Sequence, residues 1–462
     1  MKKYRLLTTI FLILFLAGGS FHFFKESRQG IKDLAERHKD LRTVLPDARS
    51  FSDVQDFSKT SGVFPYYKAY RSSAQTDDDL IGYAFFTTDI VPEILGYAGP
   101  IELLIGIDPR GRITKVRVLS HSETTSYISK MGSFLQQFSR KGIKDPIALG
   151  VDIDGISRAT ITSGAVTRAV SKSLKEIGPH LLHSKAAVSV SKEKALPLDE
   201  IFVPLILFGI AVAGVLTHKQ NIRRIALVGG FLYFGIIKST MLSAAQIVNI
   251  CLLKFPPFDQ SPLWYMLIGL TFLSTLLFGM VFCGSLCPFA AVEEFFFKLT
   301  HRTKKIKERA LSNTIDQQAR YIKYAILFSI IALSAFLGNS SATGIEPFLT
   351  LFTLNGTSLE WSLLSFMLVI AFFHFRFWCK YLCPVGACLG LFARFSLYKI
   401  RLGENCSQCA ACDKICPTRA IRIGEAGSPI IDYPECILCG KCVTVCPKEK
   451  LRSKGPQEKD EQ

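Results

Sequence analysis

The sequence predicts a multi-domain membrane protein: a signal anchor, an exported α+β domain, an α-helical core of about six spans and a small cysteine-rich C-terminal domain. Three observations predict it. Apolar runs of near-spanning length recur along the chain, and Lys and Arg crowd alternate loops between them. No Cys precedes Cys251, although the chain carries 14. The C-terminal stretch repeats one cysteine spacing twice.

Composition agrees. Of 462 residues, 49% are apolar and 11% aromatic, rich for a soluble protein and ordinary for one with several spans. The formal charge of +17 comes mostly from residues flanking apolar runs, so it marks the cytoplasmic membrane face, and no nucleic-acid partner is expected. A disulfide framework would include the exported half. Cysteines confined to the other half point to metal ligation instead.

The elements follow in order. Lys2, Lys3 and Arg5 precede an apolar run, and residues 1–24 read as a signal anchor with no clear cleavage site. Residues 25–183 form the exported α+β domain: an amphipathic helix at Ile31–Leu45, strands at Ile81–Thr88, Ile101–Ile107 and Arg112–Leu119, and helices at Ser126–Lys141 and Ser163–Ile177. Asp108-Pro109-Arg110-Gly111 makes the hairpin turn between the last two strands. A polar linker, 184–198, leads into the membrane core, 199–398, with spans near 200–217, 224–250, 262–283, 320–338 and 360–378. The loops holding Lys219 to Arg224 and Lys298 to Lys323 are basic, whereas Asn339 to Leu359 has no Lys or Arg. The positive-inside rule then sets the α+β domain outside and the C-terminus inside the bacterial cytoplasmic membrane. Residues 399–449 are the cysteine-rich domain and 450–462 a polar tail.

That domain reads Cys406-x-x-Cys409-x-x-Cys412-x-x-x-Cys416-Pro417, then Cys436-x-x-Cys439-x-x-Cys442-x-x-x-Cys446-Pro447. This is the spacing of bacterial ferredoxins with two [4Fe–4S] clusters, in which the fourth Cys of each run ligates the other cluster. One cluster is expected on Cys406, Cys409, Cys412 and Cys446, the other on Cys436, Cys439, Cys442 and Cys416. Zinc is the alternative ligand, but its motifs rarely repeat this spacing twice.

Two further pairs share the pattern aromatic-Cys-x-x-x-Cys-Pro: Cys283 with Cys287, and Cys379 with Cys383. They look like an internal repeat at the cytoplasmic ends of two spans. Residues i and i+4 share a helix face, so the pairs are candidates for a metal, a cluster or a redox-active dithiol. Cys251 and Cys388 lack such partners and read as structural. His374 and Arg376 are candidate quinone contacts, but read better as interfacial residues that snorkel. No catalytic acid–base constellation is visible.

In the exported domain, Asp154-Gly155-Ile156-Ser157-Arg158-Ala159-Thr160 resembles the flavinylation motif of FMN-binding domains, Asp-x-x-Ser/Thr-Gly-Ala-Thr. Gly96-Tyr97-Ala98-Gly99 and the hairpin after it add to the likeness. The resemblance implies that Thr160 carries FMN covalently, with Asp154, Ser157 and Ala159 completing the motif. A helix N-terminus suits the flavin phosphate. Arg158 departs from the motif's Gly. The second near-match, Ser163-Gly164-Ala165-Val166-Thr167, has Val at the acceptor position.

The combination of exported flavin domain, Cys-x-x-x-Cys-Pro membrane core and dicluster ferredoxin resembles the NosR/NirI family, PceC-like members included. The C-terminal half is similar to NapH. The resemblance implies a membrane-bound electron-transfer protein linking a cytoplasmic or quinol donor to an extracytoplasmic respiratory reductase, matured by a flavin transferase and seated in membrane lipid. The alternatives are a redox regulator acting through a partner, and a subunit of an ion-pumping flavin complex. In each, the thiolate sites lie inside and the flavin outside a hydrocarbon layer about 30 Å thick.

Overall fold

The computed structural model describes residues 40–121, 131–181, 198–303, 312–337, 343–446 and 451–454, apart from short breaks at 53–54, 60–61, 95, 97–99, 157–159, 254, 256–257, 259–261, 344–345, 355, 403–405, 407 and 425–427. The expected signal anchor, most of the linker and the start of the Ile31–Leu45 helix lie outside these residues.

Six strands form one antiparallel sheet: β1 (Ser50–Phe51), β2 (Gln55–Lys59), β3 (Gly62–Tyr70), β4 (Leu80–Phe86), β5 (Ile101–Ile107) and β6 (Ile113–His121), in the order β1-β3-β4-β5-β6 with β2 also on β3. Strand alternation sends side chains to opposite faces. Tyr67, Ala69, Ala84, Phe86 and Leu104 pack with Leu41 and Val44 on one face. Phe85, Leu103, Ile105 and Val116 face the other, against Val166, Val170, Leu174 and Ile177. Those four recur at helical spacing on the long helix Thr160–Leu181. Each such burial contributes roughly 1.5–3 kcal/mol.

The β5–β6 turn is held by Asp108, whose Oδ1 accepts from the backbone N–H groups of Arg110 (2.9 Å) and Arg112 (2.8 Å), with Gly111 at φ +78°. Strands β1–β3 fall outside the three that the sequence predicts. Pro65 masks the longest, β3, yet β4 pairs with β3 only from Tyr67 onward, so no ladder bond to β4 is lost at the proline. Thr87, expected in a strand, opens the short helix α1 (Thr87–Ile90). Of the expected Ser126–Lys141 helix, α2 (Met131–Gln136) is described and ends short of Lys141; 122–130 is outside the described residues. Thr160–Leu181 is α3.

The apolar region comprises α4 (Asp199–Thr217), α5 (Gln220–Gly230) continuing as a π-helix (Phe231–Ile237), α6 (Ala244–Cys251), α7 (Pro262–Phe278), α8 (Val281–Ser285), α9 (Pro288–Thr303), α10 (Asn313–Ala319), α11 (Ile322–Leu337), α12 (Pro347–Thr353), α13 (Ser358–Ala371), α14 (Phe377–Tyr381) and α15 (Pro384–Ala393). Among the described residues two helices, Asp199–Thr217 and Thr314–Phe336, are long and apolar enough to span, and the bent pair α12–α13 makes a third if counted as one. The other expected spans are shorter or broken; the run 224–250 divides into α5, the π-turn and α6. Phe202, Ile206, Ile225, Val228, Leu273, Phe336 and Phe366 nevertheless turn outward. Such a surface suits lipid and is costly in water.

The C-terminal lobe holds β7 (Lys399–Leu402), α16 (Ala411–Ile415), β8 (Ile421–Ile423), β9 (Pro429–Ile431), α17 (Lys441–Val445) and β10 (Leu451–Lys454). β10, read from sequence as part of a polar tail, pairs antiparallel with β7. The lobe repeats its own backbone: Gln408 and Leu438 both have φ +54°, while Ala410 and Gly440 both take positive φ before α16 and α17.

Candidate functional site

In the lobe, each Cys-x-x-Cys-x-x-Cys loop turns twice through left-handed backbone and delivers its third Cys on a five-residue helix. The fourth Cys then leaves that helix extended, before Pro417 or Pro447. One cavity is lined by Cys416, Cys436, Cys439 and Cys442, with apolar residues such as Ile400 and Ile421 and with Thr418 and Lys441. That is one of the two sets expected from the spacing. Of the other set, Cys412 is buried, Cys406 and Cys446 are half-buried and Cys409 is exposed. Burial raises the thiols of Cys412, Cys436 and Cys439, and pushes Cys442 up to about 12. Buried thiols ionise only against a compensating cation, which bound iron supplies. Among the described residues no three His, Cys, Asp or Glu side chains close on a single ion. A tetrahedral zinc would draw its sulfurs to within roughly 4 Å of one another. Thiols spread around a cavity suit a larger inorganic core.

The membrane-edge motifs form a second cavity, lined by Cys283, Cys287, Cys379 and Cys383 together. Their local geometry corrects the expectation of a shared helix face. Each first Cys lies on a five-residue helix, α8 or α14, and each second Cys lies past a break, immediately before the proline that opens the next helix. A residue before proline is driven out of the α region, and proline itself fits the first helical turn. The two breaks superpose in detail. Leu286 has φ −129°, ψ −23° and Leu382 φ −122°, ψ −24°. Cys287 N–H donates to Phe282 O and Cys383 N–H to Trp378 O, both at 2.9 Å. The Cys383 sulfur also accepts from Gly386 N–H at 3.3 Å.

Arg376 corrects a second expectation. It does not snorkel: only 1% exposed, it donates to Cys283 O (2.5 Å), Gly284 O (3.2 Å) and Glu294 Oε1 (2.7 Å). The carbonyls and the carboxylate offer it more than the interface would. Arg223 joins from α5, pairing with Glu294 and donating to Gly284 O at 3.0 Å. Glu293 accepts from Trp378 N–H (2.8 Å) and Cys379 N–H (3.4 Å), so each motif is clamped by charge from another element. Lys323, Lys380 and Arg376 all line the cavity, against one acid, Glu435. Buried Arg376 Nε and Trp378 Nε1 find no acceptor among the described residues. Each of the three cations is itself paired with a buried carboxylate, Glu435, Asp316 or Glu294, so it is the orphaned N–H donors that fit an anionic sulfur-ligated group. The acidic pair Glu293-Glu294 inside an apolar run was the sequence signal for this network, and the reading above passed over it. His374 is half-buried beside Phe377. Cys251 and Cys388 share an apolar cluster with Tyr324 and Leu327.

For the flavin segment, α3 begins at Thr160, while Ser157 and Ala159 and the side chain of Thr160 lie outside the described residues. Asp154 is exposed, its backbone paired reciprocally with Gln137 (2.8 and 3.0 Å). Upstream, burial acts to raise Asp152. It is outweighed by N–H donation from Ala148 (2.7 Å) and Ile147 (3.3 Å) and by Lys141 (2.8 Å), which hold the carboxyl below the usual range. Ser163 Oγ accepts from Ile156 N–H at 3.0 Å, and Ser163, Ala165, Val166 and Thr167 are buried. The near-match Ser163–Thr167 is therefore core.

Comparison with known proteins adds three family models. The FMN-binding domain matches residues 96–175, a 4Fe-4S binding domain matches 260–307 and 361–403, and a 4Fe-4S dicluster domain matches 405–451. One uncharacterized protein of Methanocaldococcus jannaschii is 30% identical over 50% of this chain and 94% of its own length. Regulatory protein NosR of Stutzerimonas stutzeri is 33% identical over 40% of this chain. The chain belongs to the NosR/NirI-type FMN-binding iron–sulfur proteins. A second Methanocaldococcus jannaschii protein is 36% identical over 37% of the chain, which covers 63% of that relative; for NosR the covered share is 26%. The chain carries FMN-binding and 4Fe-4S domain matches together with helices long and apolar enough to cross a membrane, and the 4Fe-4S binding model falls on both Cys-x-x-x-Cys-Pro motifs.

Proposed function

We propose that this protein is a transmembrane electron conduit: it links a cytoplasmic or quinol donor to an extracytoplasmic respiratory reductase, with FMN on Thr160 outside and the ferredoxin lobe inside, in a core of about six spans. The observation that carries this reading is the meeting of two four-cysteine cavities, which share Thr418 and Ile437 in their walls. Clusters bound there supply one-electron steps, and FMN supplies one- or two-electron steps. Cys436, Cys439, Cys442 and Cys416 would hold one cluster, Cys406, Cys409, Cys412 and Cys446 the other, and Cys283, Cys287, Cys379 and Cys383 a further iron–sulfur group. Arg376 Nε and Trp378 Nε1, which find no acceptor among the described residues, would donate to the sulfurs of that last site. A helix N-terminus at Thr160 favours the flavin phosphate, and a flavin transferase would attach it.

The test is in-gel flavin fluorescence of the denatured full-length protein, co-expressed with a flavin transferase. A fluorescent band that disappears in Thr160→Ala supports the conduit; a dark wild-type band sinks the flavin assignment. The relative's name, regulatory protein, favours one second reading, a redox regulator acting through a partner. In that case losing the clusters changes transcription while membrane electron flux stays intact.

A further inference from the structure

The lobe is pressed onto the apolar core along one of its two halves. Lys323 on α11 donates to Glu435 Oε1 at 2.7 Å, with both side chains at most 4% exposed. Gly284, between the first pair of membrane-edge cysteines, lies so close to Ile437 O that a Cβ would collide with it. Gly390 meets Pro434 O, Gly279 meets Leu438, and Gln220 donates to Cys439 O. Every one of these contacts falls within residues 434–439, the segment that opens the Cys436-Cys439-Cys442 loop. The opposite loop turns Cys409 to solvent.

We infer that Gly284 and the buried Lys323–Glu435 pair are positioning residues that seat the Cys416/Cys436/Cys439/Cys442 set directly against the membrane-edge cysteine cavity. The ion pair is the specific part of the contact. A lysine and a glutamate buried together cost desolvation that only their mutual attraction offsets, so reversing one charge repels the lobe and reversing both restores it. The glycine is the steric part, since only a residue without Cβ lets the Ile437 carbonyl approach the Cys283–Cys287 loop. Both devices act on the distance between the two cysteine sets; Lys323 and Glu435 also line the membrane-edge cavity, whereas Gly284 is outside its wall.

This rests on the reading that the membrane-edge cysteines hold an iron–sulfur group, and the experiment separates the two. Full-length protein, purified anaerobically in detergent and reduced with dithionite, is compared by iron and sulfide content and by low-temperature EPR as wild type, Cys283→Ser, Lys323→Glu, Glu435→Lys, the double reversal and Gly284→Ala. The expected result is loss of iron and of one spin–spin broadened component in Cys283→Ser. Gly284→Ala, whose residue is not in the cavity wall, should keep wild-type iron yet lose that broadening; the single reversals, which alter the charge of the wall, should lose the broadening whatever iron they keep, and the double reversal should regain it. Wild-type iron in Cys283→Ser overturns the underlying reading of the cavity. Iron loss there with undiminished broadening in the single reversals, or a double reversal that recovers nothing, overturns the positioning role.

Discussion

The lobe cavity and the membrane-edge cavity each gather four cysteines, but they do so by opposite means. In the lobe, two short loops with positive-φ turns carry the ligands, walled by Ile400, Ile421 and backbone, on helices of five residues and strands of three or four. At the membrane edge, equally short helices lead into the longer α9 and α15, and buried charges hold them: Arg376 and Arg223 on Glu294, Lys380 and Arg320 on Asp316. The lobe has little structure beyond what its ligands organise, whereas the edge cavity has a scaffold of its own. The same donor set can thus be assembled by a metal or by a fold.

The sharpest break of that comparison is removal of iron. Chelation under mildly acidic, anaerobic conditions should unfold the lobe, because metal binding is folding energy in so small a unit, while the helical core stays folded. Hydrogen exchange should show residues 411–446 losing all protection and α7 and α11 keeping theirs; equal loss in both would refute the contrast. Next comes Arg376→Leu, which strips a buried charge from Glu294 and two carbonyls. A cost of roughly 3–5 kcal/mol is expected, read as a lowered Tm in detergent with the lobe's iron retained. Smaller is Cys251→Ala, which deletes one sulfur from an apolar cluster and should cost about 1 kcal/mol without changing iron content. Any iron loss there would add Cys251 to the ligands. Least is Arg422→Ala. Its partner Asp432 lies 3.7 Å away and the arginine side chain is 44% exposed, so a change within about 0.5 kcal/mol is expected by thermal unfolding, against the large effect of breaking the buried pairs.

Legibility followed the same division. In the lobe the spacing predicts that Cys416 joins Cys436, Cys439 and Cys442, and those four do line one cavity. Strand β5 matched its expected bounds because both its faces are apolar and Asp108 and Gly111 announce the turn after it. The membrane-edge pairs were visible as a repeat, yet their helix break was missed. Counting i and i+4 assumes a continuous helix, and the proline after each second Cys forbids one. Arg376 was misread for a related reason: hydropathy sees a cation at the end of an apolar run but cannot see the Glu294 carboxylate and the Cys283 carbonyl waiting across the core.

By itself, then, the sequence determined the parts whose physics is local: the paired ferredoxin loops, the Cys-Pro turns, the Asp108 hairpin and a helix starting at the flavin motif. Tertiary structure alone decided which parts meet. It brought Cys283 and Cys287 to Cys379 and Cys383, buried Arg376 and Arg223 on a single glutamate, and set one ferredoxin half against the apolar core at Gly284 and Lys323. Those contacts join residues about sixty to over a hundred positions apart. They are set by close packing and by the cost of leaving a charge unpaired in an apolar interior, neither of which a run of neighbouring residues can express.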